Sequence, residues 1–356
     1  KVLDLTDWRT EIDEIDEQIL SLLYKRSKLA INVGKLKEET GKTSIYAPHR
    51  EKQIIDRLKS VNCNQFPEKQ LEKIFTEIIS TCRSLEKRIQ VAYLGPLGSH
   101  GHTVSLEHFG SAVEFIPIVP QTDIFAEVES NRADYGIVAI ENSTYGTVRD
   151  VLEMFLHSPL QICSERLLPI RHHLLALSTP KDISRIYSHP QCFAQCRRWL
   201  HQNLPNIEQI EVASTSVAAE IASKEHTSAA IASSLASEIY QVPITADSIM
   251  DNPNNMTRFL VIGNHSAQKS GNDRTSILFG INDEVGALCQ ILSILESNQI
   301  NMSKIDSFPS QNKPWEYVFF ADLDVYAEDS NVQFALKEIT DHCLFLKVLG
   351  TYPRGT

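Results

Sequence analysis

Ile89-Gln90-Val91-Ala92-Tyr93-Leu94-Gly95-Pro96-Leu97-Gly98-Ser99 is the stretch at which the chain changes character. Before it, apolar residues recur every three or four positions, the mark of amphipathic helices; from Val91 they run together and stop at a glycine, the mark of a short buried strand. Charge changes at the same seam: residues 1–90 hold 17 Lys+Arg and 15 Asp+Glu, while the remaining 266 residues hold 17 and 30. A chain of 356 residues divided in this way is multidomain, since one domain takes about 100–200 residues.

The acidic bulk argues against a nucleic-acid surface, and no apolar run approaches the roughly 18–20 residues of a membrane span. The first residues carry acids early and lack the apolar core of a signal peptide, and seven cysteines without a C-x-x-C spacing read as buried thiols, so the chain reads as cytoplasmic. His100-x-His102 and His172-His173 have no further ligand cluster beside them, so no metal is expected.

Backward from the seam lie three helices. Trp8, Ile12, Ile15, Ile19, Leu22, Leu23, Leu29, Val33 and Leu36 make one stripe, a helix about 43 Å long at 1.5 Å per residue, ended by Gly41. Pro48 opens a second helix, and Pro67 opens a third that runs through Ile89. A helix so much longer than its partners predicts that part of its apolar face meets another chain in an intertwined dimer. Arg26 and Lys37 share a face, being 11 residues or about 20° apart, whereas Arg9 lies roughly 25 Å from Arg26 and reaches the same small ligand only from an antiparallel partner helix. Glu86, four residues after Cys82 on the third stripe, is expected to be partly desolvated and to donate a hydrogen bond. Taken singly, all of these are also what surface charges on helices look like.

As a set, Arg9, Arg26, Lys37, Arg50-Glu51 and Glu86 on three helices resemble the all-helical chorismate mutase family. The resemblance implies that the cations bind the two carboxylates of chorismate, that Glu51 holds its hydroxyl, and that Lys37 and Glu86 stabilise the breaking C–O bond. Cys82 would line the site, with packing as its alternative role. Relatives often carry an acid where this chain has Ala47. No cofactor is implied, because a pericyclic rearrangement gains from orientation and preorganised charge.

Forward from the seam, strands alternate with helices through Ile140, and again from Ile170 to Ile231, which predicts two α/β lobes with mostly parallel sheets and a cleft between them. Polar residues collect at the strand ends, where capping is the simplest role for each. As a set, Ile140-Glu141-Asn142-Ser143, Tyr187-Ser188-His189-Pro190-Gln191, Gln195-Cys196 and Thr257-Arg258-Phe259 resemble prephenate dehydratase, a periplasmic-binding-protein-like fold. The resemblance implies decarboxylation and dehydration of prephenate to phenylpyruvate. Thr257 would bond the departing hydroxyl, Asn142, Ser188, Gln195 and Arg258 would orient the substrate, and Ser99, Glu141, Ser143 and Thr215 would line its site. His100 and Gly101 stand where the family has an aromatic and a hydroxyl residue, which leaves open a slower enzyme, an arogenate-preferring dehydratase, or an impaired cleft serving amino-acid sensing.

After a polar linker from His265 to Asp273, the order of elements is βαββαβ, ferredoxin-like. Gly286-Ala287-Leu288 and Trp315-Glu316-Tyr317 resemble the ACT domain, which implies L-phenylalanine as effector, held at Gly286, Ala287, Leu288, Asp306 and Ser307. Phe308 replaces the arginine of the second family element, and an ACT domain retained for dimerisation is the alternative. The resulting domains are 1–90, 91–265 and 274–356, in a homodimer or higher homo-oligomer.

Overall fold

The computed structural model describes residues 4–40, 46–63, 65–309 and 317–355; Gly41, Trp315 and Glu316, which carried expectations above, lie outside the described residues. The first helix is Leu5–Glu39, started by Asp4, whose carboxylate accepts from the Thr6 and Asp7 backbone while Asp7 accepts from Asp4 in return. The second is Pro48–Asn62, with proline in its first turn, and the third is Glu68–Ser84.

The third helix therefore stops short of Ile89. Leu85 caps it and Glu86 falls in the turn beyond. Ile89 keeps the helical spacing, but it is buried under the strand that begins at Gln90, which competes for the same side chain. Tyr46, also from the helical region, is 3% exposed within that same core. None of the described residues of the first helix is buried, and Trp8, Ile12, Ile15, Leu22 and Leu29 stand half or more exposed along it.

The first α/β sheet has the order Glu114–Ile118, Gln90–Leu94, Tyr135–Asn142, Met256–Gly263, Gln161–Pro169, with Gly146–Thr147 folded back on the third of these. The second runs Ile244–Ala246, His173–Ala176, Ser228–Ala232, Arg185–Ser188, Glu208–Glu211. Each is parallel in one half and antiparallel in the other, which corrects the expectation of mostly parallel sheets. The chain crosses between lobes twice: Met256–Gly263 returns to the first sheet against its parallel strands, where it pairs with Tyr135–Asn142 and Gln161–Pro169.

The third sheet, Met302–Pro309, Tyr317–Leu323, Asp273–Gly280, Phe345–Pro353, is antiparallel throughout, with helices Ala287–Ser297 and Ser330–Asp341. Those helices close a core with Ile277, Phe279 and Ala321 on one face. The other face joins the core of the first α/β sheet: Leu278, Phe308, Phe320, Leu349 and Tyr352 pack in one cluster with Ile140, Ile162 and Leu260. Gly350 makes that approach possible, because a Cβ there would lie 2.3 Å from the Ile162 carbonyl oxygen. The expected linker is part of the joint, since Ala267 is buried in the same cluster. Among the described residues no helix is long and apolar enough to cross a membrane.

Candidate active sites

In the helical region a pocket of about 360 Å³ gathers Arg26, Lys37, Arg50, Glu51, Cys82 and Glu86 from all three helices and the turn after them. Lys37 Nζ lies 3.4 Å from Glu86 Oε2, and the Glu86 side chain is 12% exposed. Gly34, one turn before Lys37, lets Glu86 in; a Cβ there would lie 3.1 Å from the Glu86 side chain. Arg9 is exposed and does not line this pocket.

Arg83 also lines it, and sequence reading missed this residue. It is 5% exposed and reaches Glu51 Oε1 at 2.5 Å. Its one visible signal is its place between Cys82 and Glu86, on the turn of helix already assigned to the site. Burial holds the Glu51 proton more tightly than in an ordinary carboxyl, and Arg83, then Arg26 and Lys37, pull it back. Among the described lining residues four cations therefore face two carboxylates, which leaves two positive charges to complement a dicarboxylate.

In the α/β region, antiparallel register sets Thr257 opposite Asn142. Asn142 Nδ2 donates to Thr257 Oγ1 at 2.8 Å, while Asn142 Oδ1 accepts from the Thr144 and Tyr145 backbone at 2.9 and 3.2 Å. The amide is thus fixed at both ends. A hydroxyl oxygen that accepts from an amide keeps its own O–H to donate, and the Thr257 residue is 8% exposed at the strand end.

In the second lobe, Gln195 Oε1 is hydrogen-bonded to His172 Nε2, and His172 is 1% exposed. The amide oxygen only accepts, so Nε2 carries the imidazole proton and the Gln195 NH2 group is left to face a ligand. The His100 ring sits 5.5 Å from the His172 ring, its pKa pushed down to about 3 by burial and by the neighbouring His172 and His173. His100 Nε2 and His172 Nδ1 have no hydrogen-bond partner among the described residues. The His100-Gly101 departure has a steric side as well: a Cβ at Gly101 would lie 2.4 Å from the Leu94 carbonyl oxygen, so this backbone admits only glycine.

Other expected residues serve the framework. Ser99 caps its helix, accepting from His102 N and donating to the Leu94 carbonyl at 2.7 Å. Ser143 Oγ accepts from Met256 N at 2.9 Å. Thr215 begins a helix whose cap is Ser214. Ser188 is fully buried and gives its proton to the Ile231 carbonyl at 2.8 Å, so it stiffens the second sheet instead of orienting a ligand.

Arg258 and Glu141 do not serve the cleft either. Successive residues of a strand face opposite sides, so Arg258 points away from Thr257 into a buried network with Glu165, Asp322 and Tyr352, at 2.7, 2.5 and 3.0 Å. Glu141 pairs with Lys304 of the third sheet at 2.7 Å. Asp306 bonds Thr147 and so faces the first α/β lobe, whereas Ser307 is exposed on the other face of the strand. Leu288 is packed in the third core, and Gly286 adopts φ 88° just before the helix that starts at Ala287. Phe308 stands as a core residue of the joint, 1% exposed, where an arginine would be buried without a place for its charge.

A cationic helical pocket suited to a dicarboxylate, joined to two α/β lobes with a fixed amide–hydroxyl pair and a βαββαβ module, describes a multidomain enzyme of small anionic substrates. The chain matches the family models for chorismate mutase type II over residues 8–87, prephenate dehydratase over 91–267 and the ACT domain over 275–339. It is 45% identical to the bifunctional chorismate mutase/prephenate dehydratase of Aquifex aeolicus, over 99% of this chain and 98% of that one, and 37% identical to the protein of the same name in Pseudomonas aeruginosa, over 98% and 97%. Among solved structures, the prephenate dehydratase of Arthrobacter aurescens in complex with L-Phe is 30% identical with a TM-score of 0.69, covering 75% of this chain and 90% of that one. A quorum-quenching acylase is 26% identical with a TM-score of 0.68, covering 74% of this chain and 97% of that one; a shared fold alone does not set activity. The chain belongs to the bifunctional chorismate mutase/prephenate dehydratase family, and it catalyses both reactions.

Proposed function

We propose that the two reactions occur at the two sites above, that L-phenylalanine is the effector, and that the working unit is at least a homodimer in the cytoplasm. The observation that carries the reading is the convergence of Arg26, Lys37, Arg50, Glu51 and Glu86, distant in sequence, on one pocket of net positive charge.

In the mutase pocket the cations hold the two carboxylates of chorismate in the chair that brings the new C–C bond together, and Glu51 accepts from the ring hydroxyl. Lys37, oriented by Glu86, donates to the ether oxygen as the C–O bond breaks. Arg9 of a second copy supplies the missing contact. The bare apolar stripe of the first helix supports this, because a second copy covers it.

In the cleft, the ring carboxylate of prephenate leaves as carbon dioxide and its bonding pair moves into the ring. The hydroxyl departs opposite, accepting a hydrogen bond from Thr257, and takes a proton to leave as water; phenylpyruvate remains. Aromatisation supplies most of the driving force, and the Asn142–Thr257 pair supplies direction. The complex of the Arthrobacter aurescens relative with L-Phe supports phenylalanine as effector. Seven cysteines without a disulfide fit a reducing compartment.

Ultraviolet assays on the purified chain, with chorismate and prephenate supplied separately and each with and without L-phenylalanine, test this. Both substrates are expected to turn over, and L-phenylalanine to slow prephenate loss. Prephenate left unconsumed, or arogenate strongly preferred over it, would overturn the cleft assignment.

A further inference from the structure

Arg83 is held at two ends by different parts of the protein. Its Nη1 donates to Glu51 in the mutase pocket at 2.5 Å, and its Nη2 donates to the Phe109 carbonyl at 2.7 Å. Phe109 is the last residue of helix His100–Phe109 in the dehydratase region. The carbonyls at a helix C-terminus lack intrahelical partners and carry the negative end of the helix dipole, so a buried guanidinium is favoured there twice over. The guanidinium also lies against the Tyr46 and Phe109 rings, 5.4 and 5.6 Å from their centroids. A planar fork spans such a pair of acceptors; a lysine ammonium reaches one of them at a time.

Glu51 responds to this cation more than to any other: Arg83 is the foremost influence offsetting its burial, ahead of Arg26 and Lys37. Because Glu51 and Arg83 line the pocket that also contains Lys37 and Glu86, the clamp sits on the chemistry and not at a remote contact.

We propose that Arg83 is a positioning residue of the mutase site, aiming the Glu51 carboxylate through a guanidinium clamp whose second jaw is the Phe109 carbonyl, so that the dehydratase region of the same chain completes the mutase pocket. The proposal rests on the mutase reading of that pocket and deepens it. It explains why the helical region ends with a buried arginine although, among the described residues, that region supplies it with one hydrogen-bond acceptor. It also gives a sign for pH dependence. Without the Arg83 charge, Glu51 keeps its proton to higher pH, and a protonated Glu51 no longer accepts freely from the ring hydroxyl, so the acid limb of the mutase profile moves upward.

The test compares full-length wild type, Arg83→Met and Arg83→Lys for chorismate consumption across pH, with prephenate turnover of the same preparations as the measure of intact fold. Arg83→Met is expected to lower mutase kcat/KM by about 10²-fold, as misplacing a catalytic group does, and to move the acid limb to higher pH. Arg83→Lys is expected to return the limb toward wild type without restoring the full rate. A loss that is uniform across pH with the limb unmoved, or no loss at all, overturns the proposal while leaving the mutase assignment standing. Wild type that fails to consume chorismate sinks that assignment itself. If Arg83→Met loses both activities, Arg83→Gln, which keeps a donor for the Phe109 carbonyl and drops the charge, decides the same question by whether the limb moves.

Discussion

The helical region and the third sheet solve the same problem in opposite ways. Each has an apolar surface larger than its own elements cover. The third sheet turns its spare face onto the dehydratase core, so Phe308, Phe320 and Tyr352 are buried within one chain, and its ion pairs go with it: Arg258, Glu165 and Asp322 are all nearly inaccessible. The first helix leaves its stripe bare, with Trp8 at 52% and Leu22 at 62% exposure. A face closed inside the chain serves stability; a face left open is the one the proposed dimer would cover. The mutase pocket lies where these two regimes meet, roofed by the open helix and braced by Arg83 against the closed body.

The closed side is the easier to break. Phe308→Ala is expected to lower the stability of the dehydratase and ACT regions by about 3–5 kcal/mol, the usual cost of emptying a buried aromatic site, measured as a shifted urea midpoint of prephenate turnover. If the midpoint holds, the two regions are less unified than their shared core implies. The open side is tested by mixing. Arg9→Ala and Lys37→Ala proteins are each expected to lose mutase activity by about 10²-fold, and mixed dimers to regain one good site of two; no recovery on mixing would sink the shared-site arrangement.

The gentlest effect at any one pH is a slope. His100 is held neutral, its pKa about 3 in the folded chain against 6.5 for the free side chain, so the unfolded state binds its proton first as pH falls. The stability it contributes is present above about pH 6.5 and is lost on descending toward pH 3, by at most about 1.4 kcal/mol per pH unit. His100→Phe, which restores an aromatic ring without a titrating nitrogen, is expected to flatten that part of the stability profile. An unchanged slope would mean that another group, such as the equally depressed His108, carries it.

The order of elements in the third domain was legible, because alternating and three-and-four patterns survive wherever one face is buried and the other is not. The half-antiparallel sheets were not legible: a continuous apolar run such as Phe259-Leu260-Val261-Ile262 looks the same in either direction. At the cleft, Asn142 and Thr257 were read from motif and are brought together by register, while Arg258, read with them, turns away. The alternation that separates Thr257 from Arg258 was already present in the sequence; what lay behind the strand was not. Arg83 escaped notice, and His172 was weighed only as a metal ligand, because their partners, Glu51 with the Phe109 carbonyl and Gln195, lie 32, 26 and 23 residues away and no local spacing joins them.

By itself, the sequence determined the three domains' order, their helical or α/β character, the residue types of both sites and the likeness that names their chemistry. These follow from short-range periodicity and from motifs, and both are local. The tertiary structure alone decided which charges face a ligand and which face another domain. Glu141, Arg258, Asp306 and Phe308 all sit on strands whose two sides look alike in a string of residues, and only the docking of the third sheet on the first makes one side a buried joint. Burial is a property of what arrives from elsewhere in the chain, and in the dielectric it creates a charge is either paired or excluded.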